Sequence, residues 1–193
     1  KKVTEKLKLS PISVYNKTKM IAERVFLSYK KQIGIICLRP ATVSGLSERL
    51  RLDLTVNKLT FDAFFNKKIF LDGGQQVRPN IHIEDVVRLI KHITLKNKKF
   101  KDNIYNIGFE NLSILQIAKK IQKKTGAKII LSRNRDIRSY RQDSTRIIKT
   151  GFRPKFNVDF AIEQLINYFS NKKKNKFGTN NFNLKKMKKL NLK

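Results

Sequence analysis

With 193 residues, 40% of them hydrophobic and 13 of them Phe, the chain can bury one ordinary domain core and is not a wholly disordered protein. No apolar run approaches the roughly 18 to 20 residues that span a bilayer, and Cys37, His82 and His92 alone build neither a disulfide framework nor a zinc cluster. The 44 Lys and Arg against 14 Asp and Glu give +30, a charge that on its face points to nucleic acid or an anionic membrane surface.

A helix is predicted over Ser13 to Lys30, where Met20, Ala22, Val25, Phe26 and Tyr29 recur at helical spacing behind Pro11. Ile33 to Leu38 is a continuous apolar run bounded by Gly34 and Pro40, the pattern of a strand buried on both faces. Residues 39 to 53 read as a loop, Leu54 to Asn66 as a helix, and Asp72-Gly73-Gly74 as a turn. Asn80 to Ile83 is a short strand, followed by a helix entered through Glu84 and Asp85, where acids suit the positive end of the helix dipole. Ile104 to Ile107 is a strand ended by Gly108, Ser113 caps the next helix, and Lys128 to Leu131 is the next strand. A short helix from Asp143 to Lys149 stops at Gly151, and Phe160 to Phe169 forms the last amphipathic helix.

The alternation of α and β without an internal repeat predicts an α/β fold. Beyond Ser170 the composition changes: residues 171 to 193 hold nine Lys, no acid and an Asn-rich texture with few apolar residues, which predicts a disordered basic tail. Leu184, Met187 and Leu190 share one helical face there, so a membrane-surface helix is a narrower alternative. The cations are mostly Lys scattered with Asn and Ile through every segment, residue types that share adenine- and thymine-rich codons. Genome composition is therefore a serious alternative account of the charge.

The most informative cluster is Pro11-Ile12-Ser13-Val14-Tyr15-Asn16-Lys17-Thr18-Lys19, continuing to Ala22-Glu23. Tyr15 and Lys19 stand four apart, so on a helix they share a face. A free phenol with a pKa near 10 is a poor base at neutral pH, but a nearby ammonium favours the phenolate. Alone, the pair is a weak signal that reads more readily as a surface Lys beside a half-buried Tyr.

The stretch resembles the active-site helix of the extended short-chain dehydrogenase/reductases, the nucleotide-sugar epimerase and dehydratase family, with its phrase Pro-x-Ser-x-Tyr-x-x-Ser-Lys-x-x-Ala-Glu. Thr18 stands where that phrase has Ser. The resemblance continues in order through Leu38-Arg39-Pro40-Ala41-Thr42-Val43-Ser44-Gly45 and Arg51-Leu52-Asp53-Leu54-Thr55-Val56-Asn57. Arg78-Pro79-Asn80-Ile81-His82-Ile83-Glu84-Asp85-Val86, Tyr105-Asn106-Ile107-Gly108, and Asp136-Ile137-Arg138 through Gly151-Phe152-Arg153-Pro154 complete it.

The resemblance implies the C-terminal part of a Rossmann-type parallel-sheet domain plus a small α/β substrate-binding domain. Residues 1–50 would be the remnant of the dinucleotide-binding domain with its catalytic helix. Residues 51–170 would be mainly substrate-binding, with returning Rossmann elements, and 171–193 the tail. Tyr15 would take a sugar hydroxyl proton while hydride passes from the same carbon to NAD or NADP, and Lys19 would lower the phenol's pKa and bind the nicotinamide ribose. The backbone of Pro40, Ala41, Thr42 and Val43 would line the nicotinamide end. Asn57 would hydrogen-bond the nucleotide-diphosphate sugar, and Arg78 and Arg138 would hold its diphosphate, although Arg133, Arg135 and Arg141 compete with Arg138 for that role. A homodimer through the Tyr15 helix, a cytoplasmic location, and the absence of a metal and of a specific nucleic-acid partner are further expectations.

His82, between Ile81 and Ile83, is expected to orient a loop by hydrogen bonding, and Cys37 to be a small buried hydrophobe. The Gly-rich turn that receives a dinucleotide's pyrophosphate is not found in these residues, and Ser10 and Ser13 lie too close to Tyr15 to complete its catalytic group. A C-terminal piece of a longer enzyme, or a split or decayed gene, is the expectation. The rival is a nonenzymatic basic protein that binds nucleic acid or an anionic membrane.

Overall fold

The computed structural model describes residues 2–132 and 139–190. Strand β1 (Lys2–Val3) precedes helix α1 (Val14–Ser28), which Ser13 caps by accepting the Asn16 N–H at 3.1 Å. The following apolar run yields a shorter strand than its pattern suggests, β2 (Cys37–Pro40), half-buried rather than covered on both faces. It pairs on one side, in parallel, with β6 (Ile104–Ile107), in the register Cys37 to Ile104 through Pro40 to Ile107.

After one residue, Ala41, the chain re-enters extended structure as β3 (Thr42–Ser44), inside the span expected to be loop. Helix α2 (Thr55–Asn66) leads into β4 (Lys68–Asp72), whose alternating burial marks a strand with one face on the core. Beyond the glycine turn lies β5 (Val77–His82), parallel to β3 and antiparallel to β7 (Glu110–Ser113). Helix α3 (Ile83–Leu95) starts on His82, and α4 (Ile114–Thr125) starts on a capping box made by Ser113 and Gln116. Strand β8 (Lys128–Ser132) runs parallel to β4, and β9 (Arg141–Gln142) parallel to β1. Helices α5 (Thr145–Ile148) and α6 (Val158–Ser170) follow.

Gly108 marks the step from β6 to β7. A Cβ there would fall 2.7 Å from the Ala41 Cβ and 2.2 Å from Gln142 Oε1, so any larger residue would displace the side chains packed against this step. One core packs Ile69 and Leu71 of β4 against Leu59 of α2, Ile117 and Ile121 of α4 and Ile162 of α6. A second gathers Ala41, Ile81, Leu89, Tyr105, Ile107, Ile147 and Phe152 around β2, β6 and α3.

A third core corrects the expectation of a disordered tail. Residues 171–190 carry short 3-10 turns at Lys174–Lys176 and Thr179–Asn181 and a helix, α7 (Asn183–Lys189). Phe177 and Phe182 pack edge-on against Phe61 at 5.4 and 6.4 Å between ring centroids, beside Leu50, Leu52 and Phe169. Two aromatic anchors in a Lys- and Asn-rich stretch are enough to dock it. No helix among the described residues is long and apolar enough to cross a membrane, and none of their His, Cys, Asp and Glu side chains cluster as a metal site.

Helix α1 buries none of its residues. Val25, Phe26 and Tyr29, whose spacing predicts the helix, are exposed. The helix is held instead by a two-pronged ion pair: Arg39 of β2 donates from Nε and Nη2 to the Glu23 carboxylate at 2.8 and 2.6 Å. Glu23 in turn holds the Arg39 guanidinium above its ordinary range, against the opposing effect of burial.

Candidate active site

Tyr15 lies in the first turn of α1 and is 68% exposed. The Lys19 ammonium sits 5.5 Å from the centroid of the Tyr15 ring, so it lies against the phenol ring one helical turn away. Tyr15 stands at the junction of two depressions. One is a cleft of about 530 Å³ lined by Tyr15, the backbone run Pro40 to Gly45, Ser47, Arg51, Asn57 and Tyr140. The other is a groove of about 980 Å³ shared by Lys19, Tyr15, Phe26, Ile36, Leu38 and Pro40.

The floor of the cleft is built by Gly45, Asn57 and His82. Gly45 adopts φ +107°, a left-handed conformation that L side chains rarely take. Its NH donates to Asn57 Oδ1 at 3.1 Å, while Asn57 Nδ2 donates to the Arg51 carbonyl at 3.0 Å, so one buried amide clamps both ends of the loop between them. Beneath the loop lies the buried His82 ring; a Cβ on Gly45 would fall 2.4 Å from its Nε2. His82 Nδ1 accepts the Glu84 N–H at 3.1 Å and caps α3, which puts the ring's proton on Nε2. Burial pushes the imidazole below its ordinary range.

The base of α3 is locked to the chain before α6 by Asp85. Its fully buried carboxylate accepts the backbone N–H groups of Lys155 and Phe156 at 2.9 to 3.0 Å and pairs with Arg88. The Phe156 ring then lies 5.2 Å from the His82 ring, so this joint backs the cleft floor.

Residues 1–108 match the model of the NAD dependent epimerase/dehydratase family. The chain belongs to this family. It is 32% identical over 133 residues to an uncharacterized UDP-glucose epimerase, YtcB, of Bacillus subtilis (strain 168), covering 67% of this chain and 42% of that protein. It is 30% identical to the UDP-glucose 4-epimerase of Lactobacillus helveticus, covering 83% of this chain and 56% of the relative. The chain thus spans about half the length of the curated relatives it matches. Among solved structures, the UDP-glucuronic acid 4-epimerase of Bacillus cereus in complex with UDP-glucuronic acid and NAD superposes with a TM-score of 0.70 at 26% identity, over 88% of this chain and 56% of that one. TunA, an NAD-dependent NDP-hexosamine 5,6-dehydratase of tunicamycin biosynthesis, superposes at 0.73 with 20% identity, over 88% and 57%. These matches establish the α/β, Rossmann-type fold of the extended short-chain dehydrogenase/reductases.

Within this epimerase/dehydratase chain the structure gathers Tyr15, Pro40, Ala41, Thr42, Val43 and Asn57 around one cleft and puts Lys19 in the adjoining groove. Arg78 does not line that cleft. It lies on β5, opposite Leu112 of β7, with its Nη1 donating to the Val77 carbonyl. Arg138, with Arg133 and Arg135, lies outside the described residues.

The sequence assigned no role to Arg51 or Tyr140. Arg51 is the charged side chain among the cleft's lining residues, and its Nε and Nη2 donate to Asp53 at 2.7 and 3.0 Å. Its place six residues before Asn57, within one resembling block, was the available signal. Tyr140 carries no comparable signal, because its N–H meets the Val77 carbonyl only in the folded chain, 3.3 Å away.

Proposed function

We propose that this chain is the catalytic-helix and substrate-binding part of a nucleotide-sugar epimerase or dehydratase that begins its reaction by oxidising a sugar hydroxyl. The observation that carries the proposal is the pairing of the Lys19 ammonium with the Tyr15 ring where the groove that holds Lys19 meets a cleft lined by Pro40 to Gly45 and clamped at its floor by Asn57. The name of the Lactobacillus relative and the UDP-glucuronic acid in the Bacillus cereus structure support a nucleoside-diphosphate sugar as the ligand class.

The exposed phenol fits the general base, because Tyr15 stands open to a bound alcohol at the mouth of the cleft. NAD or NADP, when bound, supplies the acceptor for the sugar's hydride. The residues present fit its nicotinamide end: Tyr15, Lys19 and the Pro40 to Val43 backbone would hold it. The Gly-rich turn for its pyrophosphate is not among these 193 residues, so we assign that contact to a further segment.

Asn57 would act by setting the Gly45–Arg51 loop against the sugar nucleotide, with Arg78 and Arg138 as the diphosphate cations. Residues 1–50 would complete the cofactor domain and 51–170 the substrate domain, in a cytoplasmic enzyme. The uncovered apolar face of α1 suits packing against a second copy.

Calorimetric titration of residues 1–193 tests the proposal. UDP-glucose is expected to bind, Asn57→Ala to weaken it, and NAD alone to show no saturable binding. Failure of UDP-glucose to bind would refute the assignment of the cleft, and tight NAD binding would refute the assignment of the pyrophosphate contact to another segment.

A further inference from the structure

The loop that brings Arg51 to the cleft is held from outside by the C-terminal segment. The Leu52 N–H donates to the Asn181 carbonyl at 2.8 Å, and Asn181 Nδ2 donates to the Leu50 carbonyl at 2.9 Å, so a strand-like clasp flanks Arg51 on both sides. At the first position of α7 the Asn183 N–H donates to Asp53 Oδ2 at 3.1 Å, and Asn183 Oδ1 accepts from Arg49 at 2.6 Å. Asp53 is the carboxylate that also receives Arg51. Leu50 and Leu52, on either side of Arg51, are buried in the same core as Phe177 and Phe182. Arg51 between them is not part of that core; it lines the cleft, with its guanidinium on Asp53.

We propose that residues 177–183 form a strap that positions Arg51 in the cleft, with Asn181 and the Asn183 N–H as its positioning residues. The proposal deepens the nucleotide-sugar reading of the cleft and rests on it. A cation on a short exposed loop would sample many rotamers. Here two of its donors are fixed by Asp53, and Asp53 is fixed by the strap, so Arg51 meets an anionic ligand with less orientational entropy to lose.

Position 183 permits a test without unfolding the strap. As the first residue of α7 it tolerates proline, and Phe182 before it has the extended conformation that proline requires of its neighbour. Asn183→Pro removes the N–H to Asp53, whereas Asn183→Ala retains it and removes only the exposed contact with Arg49.

In residues 1–193, Asn183→Pro is expected to weaken UDP-glucose binding about 3- to 10-fold, and Asn183→Ala by less than about 2-fold, with both melting near wild type. Arg51→Gln is expected to weaken binding about 10-fold or more, and the Arg51→Gln/Asn183→Pro double variant to be no weaker than Arg51→Gln alone. Additive losses, or equal affinity in Asn183→Pro and wild type, overturn the strap while leaving the cleft assignment intact.

A second readout needs no ligand. The Arg51 Nε–H resonance in NMR is expected to be slowed in exchange by Asp53 in wild type and Asn183→Ala, and to lose that protection in Asn183→Pro. Unchanged protection overturns the strap whatever UDP-glucose does, and absence of wild-type binding with protection lost in the proline variant sinks only the nucleotide-sugar reading.

Discussion

Replacing Gly45 with alanine probes the cleft floor at its tightest point. Two independent penalties meet there. The backbone sits at φ +107°, where a Cβ is strained by about 1 to 3 kcal/mol. The added methyl would also lie 2.4 Å from His82 Nε2, with 2.9 and 3.0 Å contacts to the neighbouring ring carbons, an overlap that costs about 1 to 3 kcal/mol as ring or loop moves. The ring cannot yield freely, because its Nδ1 caps α3 and its faces meet Phe156 and Phe160 at 5.2 and 5.3 Å. A loss of about 2 to 5 kcal/mol follows, read by urea denaturation followed by circular dichroism, since the chain has no Trp. His82→Ala in the same background should remove the overlap but not the backbone strain. The double variant should therefore be about 1 to 3 kcal/mol more stable than the sum of the single effects predicts. Gly45→Ala within about 0.5 kcal/mol of wild type, or an additive cycle, would refute this account of the floor.

Asp85→Asn replaces a buried acceptor of two backbone N–H groups and of Arg88 by a group with one acceptor oxygen, and is expected to cost about 3 to 5 kcal/mol in denaturant unfolding; a loss under about 1 kcal/mol would contradict the joint described between α3 and α6. Glu23→Gln should lower the hydrogen-exchange protection of α1 roughly fivefold, equivalent to about 1 kcal/mol, while α4 is unchanged, because the Arg39 pair is the helix's polar anchor. The depressed His82 pKa fixes a pH dependence. Above the unfolded value near 6.5 both states are neutral, and below it the unfolded chain takes the proton first, so stability falls as pH drops through that window. His82→Asn, which keeps an N-cap acceptor, should flatten thermal stability between about pH 6.5 and 5, and parallel profiles would count against the buried neutral imidazole. Filter binding to duplex DNA should be weak and vanish toward physiological salt; retention there with a steep salt slope would favour the rival nucleic-acid reading.

The parts of the fold that were legible in the sequence are those where a local cap or a period is sufficient. Ser13, Ser113 with Gln116, and the acids after His82 fix helix starts within a residue or two. β4 and β7 were missed because Lys68–Asp72 and Glu110–Ser113 are short and are stabilised by partners distant in sequence, β8 and β5. Helix α1 shows the converse. Its apolar spacing gives the helix correctly but does not say what covers it, and among the described residues Val25, Phe26 and Tyr29 stay exposed. At the site, Tyr15 and Lys19 were readable only with the motif around them, since their spacing alone fits a surface pair, whereas the strap that holds Arg51 depends on Asn181 and Asn183, residues whose local context is indistinguishable from low complexity.

The charge of +30 takes on a different meaning once the acids are located. Glu5 meets Arg146 and the Asn106 N–H, Glu23 meets Arg39, Asp53 meets Arg51, Asp85 meets Arg88, and Asp143 meets Lys2. Lys2 and two bonds from Thr145 hold Asp143 down to a pKa of about 2. Most of these carboxylates join segments far apart in sequence, β1 to α5 or α1 to β2, so they act as joints of the fold rather than as a solvated counter-charge. The excess lysines are then what is left after those joints are made. Among the described residues no acid lines the cleft, and the charged side chain there is Arg51. An anionic ligand there meets one oriented guanidinium without a competing carboxylate at the wall, other than the Asp53 that holds Arg51 in place. Under the proposed reading the orientation of Arg51 is set by the loop and the strap, whereas the diffuse field of the exposed lysines is screened by salt within about 10 Å.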